Sequence, residues 1–183
     1  MAKKVLLIVG SLRKNSFNRQ LAQEIEKLIN DRAEVSYLSF SDLPYMNQDI
    51  EFPAPKEVER VRREVESADG VWFITPEYNS SYPGLLKNLL DWLSRPLKQG
   101  DFGGASAISG KKAAVSGAAG QSAASGARQK LRELLSFIRT EVVAEDETGV
   151  ALCMEAFQSN RLILSEAERE LLKKQAERFL GSI

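Results

Sequence analysis

Two apolar periods alternate along this chain. Val5-Leu-Leu-Ile-Val9 is an unbroken apolar run, the pattern of a strand buried on both faces. Leu21, Ile25, Leu28 and Ile29 then recur at helical spacing. Val35 to Leu38 predicts a second strand. Pro55 opens a helix with Val58, Val61, Val65 and Ala68 on one stripe. Gly70 to Thr75 predicts a third strand, and "YPGLLKNLLDWL" a helix with Pro83 near its first position. Lys112 to Ser116 predicts a fourth strand. Arg128 to Ile138 predicts a helix with Leu131, Leu134, Leu135 and Ile138 inward, and Glu141 to Ala144 a fifth strand. Ser165-Glu-Ala-Glu168 has the form of a capping box and starts a last helix ending near Gly181.

Strands alternating with helices predict a parallel sheet covered on both faces, a three-layer α/β sandwich. For five strands the flavodoxin-like order 2-1-3-4-5 is the natural topology. The length suits a single domain over residues 1–183. Repeats and linkers are not apparent, and Pro96 to Ser109 reads as the most mobile loop. In this order the chain reverses direction between strands 1 and 3, so the loops after them flank the crevice where ligands bind.

The loop after strand 1 continues as "GSLRKNSFNRQ", Gly10 to Gln20. Ser11 and Ser16 offer hydroxyls, Asn15 and Asn18 amides, and Arg13 a planar charged fork. A helix beginning at Phe17 adds free backbone N–H groups and its dipole. Together they describe a phosphate cradle; the competing reading has Ser16 or Asn15 merely capping the helix and Arg13 solvated. GxxxxGK[ST] and GxGxxG are both absent, which argues against a P-loop nucleotidase and a Rossmann dinucleotide site. With Ser at position 11 and no cysteine in the loop, phosphate is held here rather than attacked. After strand 3, Pro76 and Asn79 predict a tight turn whose backbone could read the edge of a flat heterocycle, with Tyr78 as an aromatic wall. Glu77 is a candidate proton donor, though it reads rather as a solvated or structural carboxylate. Tyr82-Pro83 reads as a helix start with Trp92 buried beneath it. After strand 4, "SGAAGQSAASGARQK" is either a flexible surface loop or a place where backbone approaches a ligand closely. Three loops at one end of the sheet suit one phosphate and one flat ring, the shape of FMN.

Composition narrows the chemistry. Twenty-five cations balance twenty-five anions, so no global field recruits nucleic acid or an anionic membrane. There is no histidine and one cysteine, Cys153, which excludes Ser-His-Asp and Cys-His catalysis and any disulfide within the chain. Cys153 could be a reactive thiol, but lying between Leu152 and Met154 it reads rather as a small packed side chain. The side chains best suited to proton transfer near neutral pH are largely missing, so a bound cofactor is expected to carry any reaction. No apolar run is long enough for a signal peptide or membrane span, which leaves a cytoplasmic location as the expectation.

"GSLRKNSFNR" at Gly10–Arg19 and "TPEYNSSYPGLLKNLLDWLSR" at Thr75–Arg95 resemble the two signatures of the NADPH-dependent FMN reductases. This flavodoxin-like family includes quinone, chromate and azo-dye reductases, and the resemblance runs more loosely to Gly126–Arg128. It implies that Ser11, Arg13, Ser16 and Asn18, with Asn15 and Phe17 beside them, hold the FMN phosphate. By the same resemblance Pro76, Glu77, Tyr78 and Asn79 meet the isoalloxazine largely through backbone, and Ser116, Gly117 and Ala118 line its other side. The implied chemistry is ping-pong transfer from NADPH or NADH through FMN to a small-molecule acceptor, by a homodimer or homotetramer. Competing classes are a flavodoxin-type electron carrier, expected to be markedly acidic, and a non-catalytic FMN-binding protein.

Overall fold

Six strands and six helices are seen in the computed structural model, which describes residues 2–101, 103–143 and 145–183. Strand β1 (Lys3–Val9) lies between β2 (Ala33–Tyr37) and β3 (Gly70–Thr75), with Val5 opposite Val35 on one side and Gly70 on the other. β3 pairs with β4 (Lys112–Ala119), and all pairings are parallel. The main path is β2-β1-β3-β4-β5, the order expected from the sequence.

The fifth position differs from expectation. Two short strands share the outer edge of β4. β5 (Glu141–Val142) pairs at Lys112–Ala113, and β6 (Gly149–Ala151) pairs at Gly117–Ala119. The polar stretch from Glu145 to Thr148 interrupts them. Ala144, the predicted end of strand 5, lies outside the described residues. β4 is also longer than predicted, running through Ser116 to Ala119. Its Ala, Ser and Gly residues have little intrinsic strand preference, and flanking pairings impose the strand upon them.

Alternation along the central strands sends side chains to both faces. Val5, Leu7, Val9, Trp72 and Ile74 pack with helices α1 (Phe17–Ile29) and α6 (Glu166–Ser182). Leu6, Ile8, Val71 and Phe73 pack with α2 (Lys56–Ser67), α3 (Gly84–Leu93) and α4 (Ser125–Phe137). Trp92 is fully buried and its indole N–H donates to the Pro44 carbonyl at 2.9 Å. The predicted capping box at Ser165 and Glu168 is formed. The 96–109 connection is tied by an antiparallel pairing of Pro96 with Ser106, and it buries Ala107 and Ile108. Cys153 is exposed rather than packed, because it precedes a short helix, α5 (Met154–Ser159), that the sequence pattern did not reveal.

A fitted crevice at the strand ends

The C-terminal ends of β1, β3, β4 and β6 surround a cavity of about 210 Å³. Ser11, Arg13, Ser16, Phe17 and Asn18 form its first wall. Ser16 caps α1, its hydroxyl oxygen accepting from the Arg19 N–H at 3.3 Å, while its own N–H donates to the Arg13 carbonyl at 3.1 Å. Capping leaves the Ser16 hydroxyl hydrogen free, and the first-turn N–H groups of Phe17 and Asn18 have no partner within the helix. Asn18 is 3% exposed and clamps this wall to the next: its amide donates to the Ala118 carbonyl at 2.9 Å and accepts from the Ala118 N–H at 2.8 Å. The Arg13 guanidinium stacks on the Phe17 ring at 5.1 Å and donates to the Asn160 side-chain carbonyl.

Pro76, Glu77 and Tyr78 form the second wall. Tyr78 and Ser81 exchange backbone hydrogen bonds of 2.9 and 3.1 Å across Asn79 and Ser80, whose φ values are 52° and 57°. Two successive left-handed residues make the turn a type I′. Glu77 turns aside from proton transfer. Its carboxylate accepts from the Ala127 N–H at 2.9 Å, in the first turn of α4. That bond, with help from Ser122, the Gly126 N–H and the Arg128 charge, holds its carboxyl below the usual carboxylate range against a smaller opposing push from burial. Glu77 is therefore an ionised structural carboxylate near neutral pH.

Ala118, Ala119 and Gly120 form the third wall. Ser116 and Gly117, expected beside the ring, lie within β4 and are not among the residues that line the cavity. Ser116 faces the core, accepting from the Trp72 indole at 3.0 Å and donating to Gln175 at 2.8 Å. Gly117 is packed so tightly that a Cβ there would lie 2.5 Å from the Thr75 carbonyl and 2.8 Å from the Ala124 Cβ. Asn15 and Asn79 occupy exposed turns beside the cavity without lining it. Leu152 and Phe157 supply a fourth wall that sequence reasoning missed, with Phe157 edge-on to Phe17 at 5.7 Å. Asn160, a residue type favoured where helices end in left-handed backbone, was the one sequence signal of this segment.

Residues 3–153 match the model of one family, described as NADPH-dependent FMN reductase. The chain belongs to that family. An NAD(P)H-dependent FMN reductase of Pseudomonas aeruginosa is 36% identical over 176 residues, covering 95% of this chain and 91% of the relative. A 2-hydroxy-1,4-benzoquinone reductase of a Burkholderia species is 32% identical, with coverage of 98% and 95%. Among solved structures, the flavoenzyme NAD(P)H:(acceptor) oxidoreductase of Paracoccus denitrificans superposes with a TM-score of 0.85 at 35% identity, covering 98% of this chain and 96% of that one. This reductase is an FMN-dependent NAD(P)H oxidoreductase, and the described crevice suits the cofactor. Its first wall offers hydroxyl, guanidinium and helix N–H donors and no carboxylate, the donor set a phosphate dianion requires. Its second wall brings the Tyr78 side chain, and its third only the small residues Ala118, Ala119 and Gly120, which let a flat ring approach closely.

Proposed function

We propose that this reductase holds FMN at the C-terminal ends of β1, β3 and β4 and couples NAD(P)H oxidation to reduction of a quinone. The observation that supports it is the pairing of a carboxylate-free wall rich in donors at the start of α1 with a wall of small residues, Ala118 to Gly120, opposite. Ser11, Arg13, Ser16 and the first-turn N–H groups of α1 hold the phosphate. Pro76, Glu77, Tyr78 and Ala118 to Gly120 border the ring, and the Asn18 clamp sets the spacing between the phosphate and ring ends.

Bound there, FMN would supply the hydride-transfer chemistry between NAD(P)H and the acceptor. Overall, NAD(P)H, a proton and a quinone become NAD(P)⁺ and a quinol. Glu77, ionised and engaged with α4, is not placed to donate that proton. A quinone acceptor is supported by the benzoquinone reductase relative; chromate and azo dyes extend the range by family resemblance. A homodimer or homotetramer belongs to the same reading, supported by large apolar side chains at the surface such as Tyr45, 88% exposed. A cytoplasmic location does too.

The test is anaerobic addition of NADPH to FMN-loaded protein. Loss of the flavin's visible absorption without any partner, followed by multiple turnovers with a benzoquinone, is expected. Bleaching only when a partner reductase is added would identify an electron carrier instead.

A further inference from the structure

We propose that Asn160 is the positioning residue for the Arg13 guanidinium, and through it for the phosphate end of the crevice. This rests on the reading above, in which Arg13 meets the FMN phosphate. Arg13 is exposed on a long rotatable stem, and an unrestrained side chain of this kind loses much rotamer freedom on binding. Here it is already held. One face of the guanidinium lies on the Phe17 ring at 5.1 Å, and Nη2 donates to Asn160 Oδ1.

Asn160 is itself fixed from several sides. It ends α5 in the left-handed region at φ 54°. Its backbone carbonyl accepts from Gln20 Nε2 at 3.0 Å, and the Leu162 N–H donates to Gln20 Oε1 at 2.8 Å. One turn earlier Phe157 rests edge-on against Phe17 at 5.7 Å and 87°. Gln20 and Phe17, both on α1, thus grip the end of α5 and present the Asn160 side chain to Arg13. The chemistry of the partner matters as much as its place. A neutral amide oxygen uses one of the five guanidinium N–H donors and leaves the positive charge intact for a dianion. An aspartate at the same point would orient the fork and cancel its charge.

The test is titration of apo-protein with FMN and with riboflavin, which lacks the phosphate, followed by flavin fluorescence. Asn160→Gly suits the left-handed backbone and keeps the Gln20 contact to the main chain, while deleting the acceptor. FMN binding is expected to weaken about fivefold, the scale of one long side chain left unordered. Riboflavin binding is expected to stay unchanged, and Asn160→Gly added to Arg13→Ala is expected to lose nothing further. Unchanged FMN affinity, equal losses for both flavins, or full additivity with Arg13→Ala would each overturn the role of Asn160. If Arg13→Ala weakens FMN and Asn160→Gly does not, this inference alone falls. If Arg13→Ala leaves FMN binding untouched, the phosphate reading falls and takes Asn160 with it.

Discussion

Glu77 illustrates how a side chain's partner, rather than its type, decides its task. Placed after strand 3 it has the position of a proton donor, yet its carboxylate satisfies the first turn of α4. The folded protein holds that carboxyl below its unfolded value, so its stabilisation is full above the unfolded carboxylate range and disappears as pH falls through the lowered value. Glu77→Gln is expected to cost about 0.5–1 kcal/mol near pH 7, the scale of a charge at a helix N-terminus. The melting difference from the parent should shrink progressively as pH falls below the unfolded carboxylate range, and a difference independent of pH would contradict it. Arg13→Ala is expected to weaken FMN binding about tenfold or more, as for loss of one charge-assisted bond of about 1.5–3 kcal/mol. Turnover of protein already loaded with FMN should change less, as separate titration and saturating-FMN assays would show. Residue types and their place after strands made Arg13, Ser16 and Asn18 legible. Partners were not: the Asn18 amide closes on Ala118, a hundred positions away, and one chain read in order carries no such pairing.

Elements were legible in proportion to the strength of their apolar pattern. Gly70–Thr75 has the predicted bounds because GVWFIT is an unbroken apolar run. The end of β4 was read as loop because SGAA carries almost no side chain to show periodicity. β6 and α5, three and six residues long, are shorter than the window in which periodicity can be recognised. The small residues of β4 have a use that the pattern does not display. They let α4 and the loop before it close on the sheet, which places Ala118 to Gly120 at the cavity. Gly117→Ala sets a methyl group 2.5 Å from the Thr75 carbonyl. It is expected to destabilise by about 1–3 kcal/mol as overpacking does, measurable as a lower denaturation midpoint.

At the scale of the molecule, one buried glutamine ties the layers together. Gln175 on α6, 1% exposed, accepts from Ser116 at 2.8 Å and the Thr148 N–H at 2.9 Å, and donates to the Val115 carbonyl at 2.8 Å. Gln175→Leu removes the partner of three buried groups and is expected to cost about 3 kcal/mol or more, since each unmet group costs about 1–3 kcal/mol. Hydrogen exchange should quicken first at Thr148 and Val150; uniform quickening across β1 and β3 would contradict a local tie. Beyond this tie, the divided edge of β4 separates two duties. β5 pairs beside the start of β4, while β6 leads into the Leu152 and Phe157 wall at the rim. The cavity lining on this edge follows β6, so substitutions at Leu152 or Phe157 alter the crevice without touching the pairing of β5 with Lys112 and Ala113.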